Sequence, residues 1–234
     1  MTYARDGYAV RPLFEAHEVA GLRGAVAAHM QQMAGALLKP LAETEPAAPF
    51  DERIERIAAS DQSYAQLLGT AAATDAQRAP TVAKLANDRR LISLAAELTG
   101  CAIGDTIFRF RLNSSAMPKG RQAWHSDVAR IDPDNPSQLV VTAWIPLTDA
   151  GADSGGLEIV PGRRESPVSH DELNGKIVID AHNRDLRRTI TPEVPAGHCL
   201  FLDRFTPHRA VENRSGRTRW SLVVWMKRAE ARAA

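Results

Sequence analysis

The hydrophobic pattern of the chain changes near residue 105, from a helical repeat to the two-residue repeat of β-strands. In the second part, Phe108, Phe110 and Leu112 alternate with polar residues. Further short apolar runs follow at 139–145, 157–160, 198–202 and 219–226. Several short strands separated by Gly- and Pro-containing turns are typical of a β-sandwich or jelly roll. We therefore predict a jelly-roll core over 105–228.

Residues 1–104 are predicted to be mostly helical after a short strand from Gly7 to Val10. A long amphipathic helix is indicated by apolar residues at three- and four-residue steps, namely Val19, Leu22, Val26, Met30, Met33 and Leu37. Pro40 is expected to end this helix, and a loop is expected at Pro46 and Pro49.

Shorter helices are predicted at 52–59 and 64–68, whereas the Ala-rich stretch 71–79 carries no clear periodic signal. A further helix begins after Asp88, a suitable N-cap, and ends at Gly100, a suitable left-handed C-cap. Its inward residues are Leu91, Leu94, Ala95 and Leu98. We expect all these helices to support the sheet.

Length and composition favour a single domain over residues 1–234. With 44% hydrophobic and 24% charged residues the chain can bury a core, and no linker-like segment divides it. The 29 basic and 28 acidic residues give a net charge of +1, which argues against nucleic acid or a membrane surface held by bulk charge. A small molecule is the expected partner.

Cysteine content and hydropathy favour a cytoplasmic location. Cys101 and Cys199 are too few for a disulfide framework, and both are expected to be small buried hydrophobes. The N-terminal residues lack the apolar core of a signal peptide. No stretch approaches the roughly 18 uninterrupted apolar residues of a membrane-spanning helix.

The tripeptide His125-Ser126-Asp127, together with the distant His208, is the strongest chemical signal. Residues i and i+2 of a strand point to the same face, so His125 and Asp127 can bind one metal ion. Two histidines and one carboxylate leave positions open on the metal, as in non-haem Fe(II) oxygenases. A lone His-x-Asp also arises by chance, and it gains weight here from the turns and strands between Asp127 and His208.

In these residues the chain resembles the phytanoyl-CoA dioxygenase family of Fe(II)/2-oxoglutarate-dependent oxygenases. The resemblance runs from Asp6-Gly7-Tyr8 nearly to the C-terminus and is most specific at Trp124-His125-Ser126-Asp127 with His208 and Arg219. It implies a double-stranded β-helix core that uses Fe(II), 2-oxoglutarate and O₂. It also implies that His125, Asp127 and His208 are the iron ligands.

By the same resemblance, Arg219 binds the distal carboxylate of 2-oxoglutarate and Ser221 assists it. Their two-residue spacing places both on one strand face, and a guanidinium offers a carboxylate two parallel hydrogen bonds. The alternative is an ordinary surface arginine, as expected for Arg214 and Arg217. A register slip of two residues would make Arg217 the candidate.

Two further positions are weaker candidates for cosubstrate contacts. Asn113 stands where relatives place a polar contact, and the alternative is an asparagine that merely ends a strand. Trp144 resembles the aromatic wall beside the cosubstrate, although a tryptophan on a central strand also suits a core. Asp127 argues against halogenation, because halogenating relatives have a small residue there and leave room for chloride.

The resemblance implies hydroxylation of an unactivated C–H bond in a small molecule, an amino acid or a specialised metabolite, with release of succinate and CO₂. Desaturation, cyclisation and demethylation are alternative outcomes at the same site. No protein acid or base is needed. The intact triad with Arg219 argues against a non-catalytic metal-binding jelly roll, because a decayed site would be free to lose one of these residues. A cupin-type barrel with another metal fits His-x-Asp less well and leaves Arg219 unexplained.

Some flanking residues bear on the substrate. The polar segment 114–122 is either a lid or a plain exposed loop. Several arginines flank motif residues and would favour an anionic substrate if they gather at the mouth of the site, or else are solvated surface groups; they are Arg130, Arg163, Arg164, Arg204 and Arg209. Histidines without a second ligand at chelating spacing are expected to be structural or surface groups, namely His170, His182 and His198.

Overall fold

The computed structural model describes residues 2–37, 48–117, 123–131, 134–135, 138–173, 176–180, 182–183 and 186–230. The expected stop at Pro40, the loop residue Pro46 and the lid residues 118–122 lie outside these ranges.

Helices dominate the first part of the chain. In chain order they are α1 (Tyr3–Asp6), α2 (Ala16–Ala36), α3 (Arg53–Ser60), α4 (Gln62–Ala76), α5 (Pro80–Ala86), α6 (Arg89–Thr99) and α7 (Val128–Ile131). Helix α2 buries the expected stripe of Val19, Leu22, Val26 and Met30. Helix α6 has the predicted caps, because the Asp88 carboxylate accepts from the Arg90 amide and Gly100 adopts a φ of 68°.

Helix α4 extends well beyond the predicted 64–68 and takes in most of the unassigned Ala-rich stretch. It buries small residues, including Gly69 and Ala72, against strand and helix neighbours. A Cβ at Gly69 would lie 3.1 Å from the Leu112 side chain, so small size permits the close approach. Alanine gives little hydrophobic contrast, and this is why periodicity missed the stretch.

Strands dominate the second part. In chain order they are β1 (Tyr8–Pro12), β2 (Ile103–Asn113), β3 (Leu139–Pro146), β4 (Leu157–Ile159), β5 (Asp171–Leu173), β6 (Lys176–Val178), β7 (His198–Asp203), β8 (His208–Ala210) and β9 (Arg219–Arg228). Five of them form one antiparallel sheet in the order β1-β7-β3-β9-β2. Two-stranded pairs, β4 with β8 and β5 with β6, complete the described strands.

The large sheet divides the interior into two cores. One face packs against the helices through residues such as Phe110, Phe201 and Leu222. The opposite, inner face carries Trp144, Leu200 and other apolar residues that pack with the short strands β4 and β8. The predicted fold class, a jelly-roll core supported by N-terminal helices, is thus confirmed in its mainly antiparallel architecture; the described strands do not close into a barrel. Among the described residues, no helix has both the length and the apolar character needed to cross a membrane.

A tight backbone contact joins the start of the chain to β7. Gly197 has a φ of 81°, and its carbonyl accepts hydrogen bonds from the Leu13 and Phe14 amides at 3.2 and 2.9 Å. A Cβ at Gly197 would lie 2.5 Å from the Phe14 carbonyl oxygen.

We predict that Gly197→Ala lowers the free energy of unfolding by more than about 1 kcal/mol, because both the left-handed conformation and the Phe14 contact disfavour a side chain. Gly24→Ala is a matched control. Gly24 lies within α2, and a Cβ at this position would have no atom within 4 Å. Alanine should therefore raise the same free energy there by about 0.5–1 kcal/mol through its helix propensity. Urea denaturation measures the free energy of unfolding of both variants. Equal changes in the two variants would show that Gly197 is not constrained by its conformation or by the Phe14 contact.

Candidate metal centre

The three predicted metal ligands come together inside the fold. His125 pairs with His208 in an isolated antiparallel bridge, in which each amide donates to the other's carbonyl at 3.1 and 2.8 Å. The two imidazole centroids are 4.4 Å apart. One potential ligand atom from each of His125, Asp127 and His208 lies within 4.8 Å of the others.

The local backbone differs from the regular strand that was predicted for His125 and Asp127. Asp127 lies in the turn that leads directly into α7, and its carbonyl accepts from the Arg130 and Ile131 amides at 2.9 Å. Adjacency to α7, and not strand alternation, therefore directs the Asp127 carboxylate toward His208. The prediction of a regular strand was wrong for Asp127, although the three side chains of His125, Asp127 and His208 do come together.

Hydrogen bonds at the Nδ1 atoms orient both imidazoles. His125 Nδ1 lies 3.0 Å from the Ala123 carbonyl, and His208 Nδ1 lies 3.0 Å from the Thr206 carbonyl. A carbonyl only accepts, so each Nδ1 carries the proton and each Nε2 presents a lone pair. These lone pairs face Asp127, whose carboxylate oxygens lie 3.9 Å from His125 Nε2 and 3.7 Å from His208 Nε2.

Burial and neighbouring charge keep the ligands in their metal-binding forms. Burial, followed by the proximity of His208, lowers the pKa of His125 to about 3, so its imidazole is neutral at pH 7. Burial alone would raise the pKa of Asp127, but the two imidazoles and the Thr142 hydroxyl outweigh it and the pKa is lowered. The Thr142 hydroxyl donates to Asp127 Oδ2 at 2.7 Å. A neutral His125 imidazole and an ionised Asp127 carboxylate are the forms in which these two groups bind a divalent metal.

Arg219 is a buried charge on the same inner face. It is 4% exposed, and its Nε donates to the Gly155 carbonyl at 2.9 Å while Nη1 donates to Ser221 Oγ at 2.7 Å. Burial lowers its pKa to about 9, which still leaves it charged at pH 7. Among the described residues, no carboxylate lies within ion-pair distance of this guanidinium. The alternative candidate Arg217 is 60% exposed and pairs with Asp51 at 3.2 Å.

Strand β3 connects the metal ligands to Arg219. Thr142 pairs with Trp225 and Trp144 with Val223 across β9, so Thr142 and Trp144 occupy consecutive inner positions. Thr142 binds Asp127, and the Arg219 guanidinium lies 5.2 Å from the centroid of the Trp144 ring. Consecutive positions on one face of a strand are about 7 Å apart. The inner face thus holds both the metal-ligand cluster and a cation that has no carboxylate partner among the described residues, and Thr142 and Trp144 connect them.

Asn113 has a structural contact. Its Nδ2 donates to the Val211 carbonyl at 2.9 Å, and its amide would contact a side chain at Gly155. Asn113 also pairs with Arg219 across β2 and β9. The side chain therefore supports the loop that holds Arg219, which is consistent with the alternative of an asparagine that ends a strand.

The five flanking arginines occupy three different surroundings. Arg163, Arg164 and Arg204 line a cavity with Tyr3 and Asp203. Arg209 binds Glu158 at 2.7 Å and lies 4.6 Å from the Trp124 ring centroid. Arg130 donates to the Ile177 carbonyl at 3.1 and 2.9 Å.

Two residues near the motif were not predicted in these roles. Thr142 was detectable in the sequence as a hydroxyl within the apolar run 139–145. His170 accepts from the Ser126 amide at 3.0 Å and so holds the loop between the ligands. This structural role agrees with the general expectation for His170, but no sequence spacing could have predicted its partner.

Comparison with known proteins identifies the family of the chain. The family model described as phytanoyl-CoA dioxygenase matches residues 3–221. No curated protein matches the chain significantly.

Solved structures of similar fold cover nearly the whole chain. EvdO2 from Micromonospora carbonacea var. aurantiaca, complexed with 2-oxoglutarate, shares 20% identity with a TM-score of 0.61 over 99% of this chain and 90% of that one. The epimerase SnoN, in complex with Fe3+, alpha ketoglutarate and nogalamycin RO, shares 20% identity with a TM-score of 0.62 over 97% and 81%. The non-heme alpha ketoglutarate-dependent carbocyclase SnoK from nogalamycin biosynthesis shares 19% identity with a TM-score of 0.61 over 97% and 82%. At these identities the likeness concerns the fold.

We predict that Thr142→Val weakens divalent metal binding by about 10–100-fold, because the Asp127 carboxylate loses the hydroxyl that orients it. Thr106→Val is the control, since the Thr106 hydroxyl binds Asn87 on the exposed side of β2. Calorimetric titration with Co(II) under argon measures both affinities. Equal affinities for the two variants would show that Thr142 does not support the metal ligands.

Proposed function

The chain belongs to the phytanoyl-CoA dioxygenase family, and from that premise we propose that it is an Fe(II)/2-oxoglutarate-dependent dioxygenase that hydroxylates a small molecule. The observation that carries the proposal is the buried Arg219 guanidinium. It has no carboxylate partner among the described residues and lies 5.2 Å from the centroid of the Trp144 ring, and Trp144 is the next inner residue of β3 after Thr142, which orients Asp127. A bound dicarboxylate would supply the missing charge.

The side chains fit Fe(II). His125, Asp127 and His208 would hold it through two Nε2 atoms and one carboxylate oxygen, which is the two-histidine, one-carboxylate set of non-haem oxygenases. When bound, Fe(II) and 2-oxoglutarate supply the oxidation, in which one atom of O₂ enters succinate as CO₂ is lost and the other enters a substrate C–H bond. The Asp127 carboxylate occupies a position that halogenation would need for chloride, so oxygen transfer is favoured.

The side chains also fit 2-oxoglutarate. We propose that the Arg219 guanidinium binds the carboxylate farther from the metal, with the Ser221 hydroxyl beside it and the Trp144 ring as one wall of the site. A planar guanidinium matches a carboxylate in two parallel hydrogen bonds. The low exposure of Arg219 and Ser221, 4% and 0%, excludes competing water and strengthens the attraction. The chain thereby binds, orients and shields the cosubstrate, and no protein acid or base is required.

The proposed substrate is a small organic molecule, either an amino acid or a specialised metabolite. Desaturation, cyclisation and demethylation are alternatives at the same site. The similar fold of an epimerase and a carbocyclase, SnoN and SnoK, supports keeping such outcomes open. A non-catalytic metal-binding role is disfavoured, because it gives no reason for a buried Arg219 without a counter-ion among the described residues. Cys101 and Cys199 are both free thiols, which supports a reducing compartment, and we propose the cytoplasm.

We predict that the protein purified under argon, given Fe(II), 2-oxoglutarate and then O₂, forms succinate, and that a substrate increases the rate. His208→Ala should reduce succinate formation by at least about 100-fold, because two ligands hold the metal poorly. Succinate is measured by mass spectrometry, and circular dichroism checks the fold of the variant. The proposal would be refuted if wild type formed no succinate with any metabolite of a panel and if wild type and His208→Ala bound Fe(II) equally.

We also predict that wild type binds 2-oxoglutarate at least about 100-fold more tightly than 2-oxovalerate, which lacks the second carboxylate, because a buried guanidinium would stay unpaired with the latter. Arg219→Met should abolish this discrimination while metal affinity stays the same. Arg217→Met, two residues upstream and exposed, should leave it intact. Calorimetry with the Co(II)-loaded proteins measures the affinities, and discrimination that depends on Arg217 would refute the assignment.

A further inference from the structure

A groove of about 510 Å³, lined by both polar and apolar side chains, opens between β2, α4 and β8. Ala210, one of its lining residues, lies two positions after His208 in β8, so the groove borders the candidate metal centre. The polar side chains of α4 and its C-cap that face the groove recur at three- and four-residue steps, as one helix face requires; they are Gln66, Thr70, Thr74 and the C-cap Gln77. These groups can hydrogen-bond a polar molecule held beside the metal.

Strand β2 contributes two arginines to this groove. Arg111 pairs with Ser221 and Arg109 with Val223 across β9. Paired residues of antiparallel strands project to the same face, so both arginines share the inner face with Arg219. The Arg111 guanidinium lies 5.9 Å from the centroid of the Trp225 ring, and Trp225 pairs with Thr142, which binds Asp127. Arg111 thus projects toward the metal side of the groove.

The groove has an unbalanced positive charge. No aspartate or glutamate is among its described lining residues. Neither Arg109 nor Arg111 has a carboxylate within ion-pair distance in the described part of the chain, whereas Arg90 and Arg209 are both paired with acids. Arg111 is exposed at the groove, and its partial desolvation, followed by the charge of Arg109, lowers its pKa, while Asp127 acts in the opposite direction.

A buried hydroxyl beside the arginines also lacks a partner. Ser114 is 3% exposed and lines the groove, and its Oγ forms no hydrogen bond with the described residues. A buried polar group without a partner is costly, and most are satisfied in folded proteins. A ligand in the groove would provide the acceptor or donor that Ser114 lacks.

We infer that this groove is the substrate site of the proposed dioxygenase and that the substrate carries an oxyanion, a carboxylate or a phosphate, bound by Arg111 with Arg109 beside it. The inference rests on the proposed function for the chemistry, whereas the expected negative charge of the substrate follows from the residues of the groove alone. Arg109 and Arg111 occupy positions about 7 Å apart along one strand face, so both side chains can reach one acidic group. The polar face of α4 then selects a hydrogen-bonding body over an apolar one.

Thermal shift of the protein loaded with Fe(II) and saturating 2-oxoglutarate under argon tests this inference, because Arg219 is then occupied. The probes are acids paired with neutral counterparts: N-acetylglycine with N-acetylglycinamide, and glycerol 3-phosphate with glycerol, followed by a panel of amino and hydroxy acids with their amides. Acidic members should raise the melting temperature more than their neutral counterparts. The two named pairs distinguish carboxylate from phosphate.

Arg111→Gln should weaken the best acid's apparent affinity by at least about tenfold, since a hydrogen bond to a charged group is lost. Arg111→Lys should retain part of it, and Arg89→Gln, on the exposed start of α6, should bind as wild type does. If Arg111→Gln fails to fold, Arg109→Gln provides the same comparison. A role for Arg111 in packing alone would lower the melting temperature of the free protein without changing the acid's affinity.

The inference is overturned if neutral probes stabilise the protein as much as acids, if no acid stabilises it while 2-oxoglutarate does, or if Arg111→Gln binds acids with wild-type affinity. Failure of the proposed function gives a different result. In that case 2-oxoglutarate itself does not bind to the wild-type protein in a metal-dependent way.

Discussion

The Arg219 guanidinium, buried on the inner face of the large sheet, is the charge around which the interior is arranged. Removing a cation from water costs several kcal/mol unless hydrogen bonds and an opposite charge compensate it. The protein supplies a carbonyl from Gly155, the Ser221 hydroxyl and the Trp144 ring, but no carboxylate among the described residues. This lack of a carboxylate partner in the described part of the chain is why we propose Arg219 as the site of the distal carboxylate of 2-oxoglutarate.

Strand β3 contacts both this cation and one of the metal ligands. It is buried along its full length, from Leu139 to Pro146, with helices on one side and the short strands on the other. Such packing fixes Thr142 and Trp144 as consecutive inner residues. The first orients Asp127 and the second lies under Arg219, so two separate parts of the chemistry depend on one rigid element.

Much of the fold and of the metal centre could be predicted from the sequence. The period-two runs predicted β3, β7 and β9, and the His-x-Asp tripeptide with His208 and Arg219 predicted residues that do meet or share a face. The geometry at Asp127 was not predictable from alternation, since a turn and α7 replace the strand. The Ala-rich end of α4 gave no periodic signal, and α5 was missed although Pro80 is a typical first helical residue. The groove on β2 depends on strand register and on the position of α4, which local pattern does not define.

We propose that one molecule of 2-oxoglutarate binds both the Arg219 guanidinium and a metal ion held by His125, Asp127 and His208. The most direct measurement is a pair of calorimetric titrations of 2-oxoglutarate into wild-type protein under argon, with and without Fe(II). A ligand that contacts both the metal and Arg219 must bind more tightly when the metal is present. We expect the affinity for 2-oxoglutarate to be at least about tenfold higher with Fe(II), and the affinity for Fe(II) to rise by the same factor with 2-oxoglutarate. Equal affinity with and without Fe(II) would contradict it.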